Sequence, residues 1–208
     1  MAWSFVAAGA VAGFSGTANT TVTLPTGYAA GDILVIAGTN GGGLSSSSTP
    51  SGWTARNAPT GACFFFKRAG TSESSAILDN GRGATAAVML CYRGIFNADT
   101  QATATAFAFG GSRATGTQTT NFPDDLVVSA YFFDPVSGGT ITAPGSTNTR
   151  VNSAATSLVS GLLVVDENAA TAGSTTARTA SIASSTQCGA AAASFQQGNP
   201  SGFFNLMR

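Results

Sequence analysis

The stretch that decides the fold is GDILVIAG at residues 31–38, which a Gly/Ser-rich loop joins to PSGWT at residues 50–54. The same order returns as PDDLVVSA at residues 123–130, followed after a Gly-rich loop by APGST at residues 143–147. A short uninterrupted apolar run bounded by turn residues is typical of a strand that is buried on both faces. Each copy therefore predicts a central strand, a surface loop and a Pro-Gly turn into the next strand.

Two pairs of residues align the copies: Asp32 with Asp125, and Pro50 with Pro144. A sheet with apolar residues on its faces must cover them, and a second copy of the same sheet is the simplest cover. The sequence therefore predicts an all-β fold, a single antiparallel β-sandwich or jelly roll with two pseudo-repeated halves.

The predicted halves span about residues 1–110 and 120–196, and an apolar C-terminal tail covers residues 197–208. No segment has the sustained period of 3.6 residues that marks an amphipathic helix. No linker separates the halves, so we predict one domain over residues 1–208. The predicted strands are 3–11, 20–24, 33–37, 53–56, 62–68, 86–93, 103–109, 126–133, 141–142, 158–165 and 188–195.

The chain carries very little charge. Nine basic residues balance nine acidic ones, and charged residues make up 9% of the 208 residues. This composition argues against nucleic acid and against an anionic membrane as partners. Because 43% of the residues are hydrophobic, disorder is also disfavoured. A surface with so little charge repulsion suits association into an assembly. A source organism whose proteins are rich in Ala, Gly and Thr explains the same composition equally well.

The reactive residue types are few. Without any histidine, the chain cannot build a Ser-His-Asp or Cys-His catalytic site. Cys63, Cys91 and Cys188 are an odd number at wide spacing, and two of them lie in apolar runs, so we expect all three to be reduced. This favours synthesis in a reducing cytoplasm.

Several acidic residues were weighed as oxygen ligands for calcium: Asp124, Asp125, Asp134, Asp166 and Glu167. They lack the regular spacing of a calcium loop, so no metal and no cofactor is expected. Asp32 and Asp125 are better interpreted as turn residues whose carboxylates accept backbone N–H groups. No pair of acids is placed by the sequence for glycoside hydrolysis, and no enzymatic activity is expected.

Five aromatic residues offer a platform for a sugar: Trp3, Tyr28, Trp53, Tyr92 and Tyr131. We favour the alternative that Trp53 and Tyr92 fill the core, with Trp53 near Phe65. Arg93 is expected to lay its stem over the sheet and to pair with an acid at the rim. The sequence does not decide whether it instead forms a buried pair with Asp32 or Asp99.

The order of the short motifs resembles a known family. The motifs are Gly-Asp at 31–32, Pro-x-Gly-Trp-Thr at 50–54, Phe-Phe-Lys at 65–67 and Tyr-Arg-Gly at 92–94. In this order they resemble the β-sandwich domain of tailed-bacteriophage virion structural proteins, of the decoration (cement) or tail-fibre type. The resemblance covers residues 1–110 well and residues 120–196 more loosely. It implies a non-enzymatic structural protein and supplies no catalytic site.

The function that follows is that of a capsid decoration protein, made in the host bacterial cytoplasm and located in the virion. Its expected partners are copies of itself, as a trimer, and the major capsid protein of the phage head. One alternative is a tail or fibre component that binds a host-surface glycan. A further alternative, a secreted carbohydrate-binding module, is disfavoured because residues 1–13 lack the basic start of a signal peptide.

The C-terminal tail supplies the predicted interaction residues, Phe203, Phe204, Leu206 and Met207. Chain termini usually fray unless something holds them. A terminus this apolar is therefore expected to pack against a neighbouring subunit or the capsid shell.

Overall fold

The computed structural model describes residues 2–15, 19–40, 49–57, 62–78, 84–98, 103–134, 140–154 and 160–197. Throughout these ranges the regular structure is β-strand without any helix, and all strand pairings are antiparallel. The predicted all-β class is therefore confirmed. The described part of the chain accordingly offers no helix that could span a membrane.

The described ranges contain seventeen strands. The first eight are β1 (Ser4–Ala8), β2 (Ala12–Ser15), β3 (Thr20–Val22), β4 (Ile33–Asn40), β5 (Thr54–Asn57), β6 (Ala62–Arg68), β7 (Ala76–Leu78) and β8 (Ala84–Arg93). The other nine are β9 (Ile95–Ala98), β10 (Thr103–Ala114), β11 (Thr119–Thr120), β12 (Asp125–Phe133), β13 (Ile141–Thr142), β14 (Asn148–Ser153), β15 (Gly161–Ala169), β16 (Gly173–Ser174) and β17 (Thr179–Gln197).

Two large sheets have matching strand orders. The first sheet runs β1-β8-β4-β6-β5, with β2 also paired to β8. The second runs β10-β17-β12-β15-β14, with β9 and β13 also paired to β17. Each large sheet is accompanied by a two-stranded ribbon, β3-β7 for the first and β11-β16 for the second.

The turns before corresponding strands share an unusual backbone conformation. Gly31 before β4 and Asp124 before β12 have φ values of 93° and 65°. Gly52 before β5 and Ser146 before β14 have φ values of 79° and 63°. Positive φ is rare for residues other than glycine, so its presence at Asp124 and Ser146 marks turns whose shape the surrounding strands impose.

The facing sides of the two sheets share one hydrophobic cluster, here called the central cluster. Its largest side chains from the first sheet are Ile33, Phe64, Phe66, Leu90 and Tyr92, and those from the second are Leu126, Phe132, Leu162 and Phe195. Alanines such as Ala37, Ala130 and Ala191 lie among them, so large and small side chains interdigitate. Phe66 and Phe195 meet across the sheets edge to face, with ring centroids 6.0 Å apart.

The outer faces of both sheets are also covered, which explains the uninterrupted apolar runs. Leu34 and Ile36 point away from the central cluster and pack with Val22 and Leu78 of the β3-β7 ribbon. In the second sheet Tyr131, Phe133 and Leu163 pack with Ile141 of β13 and Ile182 of β17. A strand buried on both faces has no polar side to alternate with.

The predicted strands recur in the structure with two kinds of difference. The predicted strand at 3–11 is shorter in the structure, where β1 ends at Ala8 and β2 begins beyond the predicted range, at Ala12. Between them the N–H of Gly9 donates to the carbonyl of Met89 at 2.8 Å. A Cβ at Gly9 would lie 2.1 Å from the carbonyl oxygen of Thr23, so only glycine fits there. Six strands were not predicted: β2, β7, β9, β11, β14 and β16. Five of them have only two to four residues, which carry too little periodicity to detect, and β14, with the sequence NTRVNS, has no apolar run.

Candidate functional site

The two aligned aspartates lie at the same kind of turn. A carboxylate oxygen of Asp32, Oδ2, accepts the N–H of Ala29 at 2.8 Å, and Oδ2 of Asp125 accepts the N–H of Phe122 at 3.1 Å. Both acceptors lie three residues beyond the donor and hold the turn that enters a central strand. The prediction that these carboxylates accept turn N–H groups is confirmed.

Arg93 forms a two-pronged ion pair with Asp32. Its Nε donates to Oδ1 at 2.9 Å and its Nη2 to Oδ2 at 2.8 Å. Burial alone would raise the pKa of Asp32, but the Arg93 hydrogen bonds and charge and the Ala29 N–H outweigh it, so the pKa is lowered. Of the two acids considered as partners of Arg93, Asp32 and Asp99, the structure pairs it with Asp32, and the pair acts as a structural clamp.

The thiol of Cys91 lies against the same carboxylate, with Sγ 3.6 Å from Oδ2 of Asp32. Burial, followed by the negative charge of Asp32, raises the pKa of Cys91 to about 12. Cys91 and Cys188 are both buried and free of disulfides. The side chain of Cys63 lies outside the described residues.

We expect Cys91 to resist alkylation in the folded protein. Iodoacetamide reacts with thiolates, and a pKa of about 12 leaves almost none at pH 8. Peptide mass spectrometry should find Cys91 unmodified in native protein and fully modified in urea. Because the folded pKa exceeds the ordinary value of 9.0, this thiol stabilises the fold fully below pH 9, and its contribution is lost as pH rises toward 12. Equal reaction rates in both states would contradict this expectation.

Asp166 is a fully buried carboxylate that joins the two sheets. It accepts hydrogen bonds from Tyr92 Oη at 3.1 Å, Asn148 Nδ2 at 3.1 Å and Arg150 Nε at 2.6 Å. Tyr92 comes from β8 of the first sheet, and the other two donors come from β14 of the second. Burial, followed by the charge of Asp166, raises the pKa of Tyr92 well above its usual value of 10.0. With three protein donors around it, Asp166 serves packing between the sheets and is not placed as a metal ligand.

The other acids weighed as calcium ligands are not brought together. Glu167 instead binds the Arg178 guanidinium through both carboxylate oxygens. Asp134 lies elsewhere, where burial raises its pKa. Across the described ranges no group of three or more His, Cys, Asp or Glu side chains is placed to hold a metal ion.

A polar pocket of about 330 Å³ opens where the start of the first sheet meets the second. We call it the Trp3 pocket, and its lining residues are Ala2, Trp3, Asp124, Asn168 and Gln197. The indole Nε1 of Trp3 donates to Oδ1 of Asn168 at 3.2 Å, and Nδ2 of Asn168 donates to Oδ1 of Asp124 at 2.8 Å. Asn168 carried no signal in the sequence, because a single asparagine in a strand is uninformative until its neighbours are known.

The five aromatic candidates separate in the structure. Tyr92 and Tyr131 are fully buried, as expected for core residues. Trp53 is only partly buried: it packs against the cluster that contains Phe65, with the Lys67 ammonium 5.8 Å from the centroid of its ring. Tyr28 accepts the N–H of Glu73 at 2.9 Å. Of the five, Trp3 alone lines the pocket.

The predicted interaction residues of the tail, Phe203, Phe204, Leu206 and Met207, lie outside the described residues, as does Asp99.

No family model matches this chain, no curated protein matches it, and no solved structure matches it.

Proposed function

We propose that this chain is a structural protein of a tailed-bacteriophage virion, and specifically a capsid decoration (cement) protein. The proposal includes a single β-sandwich of two pseudo-repeated halves, since the sheets share a strand order and a central cluster. The order of the short sequence motifs supports the virion assignment. Its role is then mechanical, since it would bind neighbouring capsid subunits and stabilise the head.

The observation that carries the proposal is the edge strand β10. In the described part of the chain β10 pairs on one side only, with β17. Its segment 103–110 has no charged residue and no proline, and the side chain of Phe109 is 77% exposed. Monomeric proteins protect such edges with charges, prolines or bulges. The register of β10 with β17 shifts between Thr105 and Ala108 and again between Gly110 and Ser112, but the absence of charge and proline over 103–110 and the exposed Phe109 ring favour association with another subunit.

In this proposal the β10 edge and the apolar tail would supply surfaces for contact with other copies of the chain and with the major capsid protein. A cyclic homotrimer would suit the threefold sites of a capsid, with the major capsid protein beneath it. The protein would then be made in the host bacterial cytoplasm and be incorporated into the virion. The alternative of a tail or fibre component differs in where on the particle the protein lies.

Electron microscopy of particles labelled with a gold-conjugated antibody against this protein tests the location. Label over the head supports a decoration protein, and label confined to the tail supports the fibre alternative. Absence of label on purified particles, with the protein present in infected-cell lysate, would reject the virion assignment.

We expect two changes to weaken assembly without unfolding the sheets. Removing residues 202–208 takes away the apolar tail, and Phe109→Lys places a charge on the β10 edge. Sedimentation velocity should show a shift from oligomer toward monomer for each. The matched control is Ile77→Lys. Ile77 is also a large exposed apolar residue, 58% exposed, but it lies on the β3-β7 ribbon and not on the β10 edge. A wild-type monomer, or variants that assemble like wild type, would contradict the proposed oligomer.

A further inference from the structure

The Trp3 pocket has a counterpart in the other half of the molecule. Phe5 pairs with Tyr92 at the end of β8, and Ala98 pairs with Phe195 at the end of β17. Two residues before Phe5 lies Trp3, and two residues before Ala98 lies Phe96. The register of β9 with β17 shifts between Asn97 and Ile95, so Phe96 lies at a bulge close to the place that corresponds to Trp3.

The partners of these two aromatic residues lie at corresponding positions of the two sheets. Arg68 pairs with Ile33, the first residue of β4, and Asn168 pairs with Leu126 at the corresponding place on β12. Trp3 contacts Asn168 through its indole nitrogen, and the carbonyl of Phe96 accepts a hydrogen bond from Arg68. The two contacts differ in kind: the Trp3 side chain donates to Asn168, whereas the Arg68 side chain donates to the backbone of Phe96.

The space beside Phe96 is filled by a side chain, whereas the space beside Trp3 is open. The Arg68 guanidinium lies 5.9 Å from the centroid of the Phe96 ring, and its Nη1 donates to the carbonyl of Gly31 at 2.7 Å. A long side chain thus occupies the space beside Phe96. Asn168 is several atoms shorter than arginine, and beside Trp3 the same space is the 330 Å³ pocket.

The groups around this space have the chemistry that recognises a sugar. The indole of Trp3 gives a flat surface, and its π face attracts the weakly positive C–H groups of a pyranose. Asp124 brings a carboxylate to the pocket, and Asn168 and Gln197 bring side-chain amides, polar groups of the kind that suit vicinal hydroxyl groups. In the described residues, Oδ2 of Asp124 accepts no hydrogen bond from the protein, so this oxygen is available to a ligand.

The platform is also held in place before any ligand arrives. Trp3 packs against the central cluster and meets the Tyr92 ring edge to face, with centroids 6.1 Å apart. Its indole nitrogen is tied to Asn168, and Asn168 is tied to Asp124. A side chain fixed in this way loses little conformational entropy on binding.

We propose that the Trp3 pocket binds one neutral pyranose residue of a glycan. A pocket of this volume accommodates a single sugar ring. The Trp3 indole would contact the apolar face of the sugar, and the carboxylate and amides would bind its hydroxyl groups. Among the described residues no Lys or Arg lines the pocket and Asp124 does, so anionic sugars are disfavoured. The proposal goes beyond the virion assignment and does not depend on whether the protein lies on the head or the tail.

The test uses the full chain with Trp53→Phe, which leaves Trp3 as the single tryptophan. Its fluorescence is titrated with D-glucose, D-galactose, D-mannose, L-rhamnose and N-acetyl-D-glucosamine, and saturation-transfer NMR checks each sugar for contact. We expect a saturable change with at least one of them, with Kd on the order of millimolar, as is typical of ligands this small.

Two variants identify the pocket. Asn168→Arg introduces the side chain found at the equivalent position and should fill the pocket, weakening binding at least about tenfold. Trp3→Ala, followed by NMR, should abolish it. The control is Phe96→Ala, which removes the aromatic residue beside Arg68 in the other half and should leave the sugar affinity unchanged. Circular dichroism confirms that each variant is folded.

Three results would overturn the proposal: no response to any sugar, equal affinity in folded Asn168→Arg, or a fluorescence change produced by Ca²⁺ alone and not by sugar. The location of the protein on the particle is decided separately by antibody labelling, so the two proposals fail independently.

Discussion

Replacing Asp166 with alanine is expected to destabilise the protein by about 3–4 kcal/mol. The change leaves the fully buried hydroxyl of Tyr92 without its acceptor and removes the partner of Arg150. Loss of one member of a buried ion pair costs about 3–5 kcal/mol. The lower part of this range applies because the Arg150 side chain is 23% exposed and can partly reach water.

Urea denaturation at pH 7, followed by tryptophan fluorescence, measures this loss. Tyr92→Phe is the matched variant: it removes a single hydrogen bond to Asp166 and should cost about 1 kcal/mol. If Asp166→Ala cost no more than Tyr92→Phe, the carboxylate would not be the link between the sheets that its three hydrogen bonds indicate.

Replacing Phe195 with alanine in the wild-type protein should lower the free energy of unfolding by about 3–5 kcal/mol. Phe195 is fully buried in the central cluster and packs edge to face on Phe66 of the opposite sheet. Its removal opens a cavity between two sheets whose backbone hydrogen bonds prevent them from closing over it.

The same urea titration measures this effect, and Phe122→Ala is its control. Phe122 lies in the turn before β12 and is 48% exposed, so its truncation should change stability by no more than about 0.5 kcal/mol. Similar losses at the two positions would mean that the sheets do not share the tightly packed core described above.

Much of the local structure followed from the sequence because its causes are local. The run at 62–68 matches β6 residue for residue, since its bulky apolar side chains favour an extended backbone. The capping roles of Asp32 and Asp125 depend on a backbone donor three residues away, which is within reach of a sequence pattern. The pairing of Arg93 with Asp32 was among the two possibilities considered.

The position of Trp53 shows a limit of the same reasoning. Aromatic character predicted burial, yet the residue lies at the margin of its cluster with a lysine over its ring. Burial depends on what covers a side chain from outside its own strand, and the sequence around Trp53 does not encode that.

The sequence by itself determined that this chain forms strands, where most of them lie, and that its central strands are buried on both faces, because side-chain periodicity and turn residues act over a few positions. The tertiary structure alone decided which side chains from distant strands meet. It joined Tyr92 to Asp166 across the sheets and brought Trp3, Asp124 and Asn168 to one pocket. These contacts depend on strand order and register, which arise from the packing of the whole chain rather than from any one segment of it.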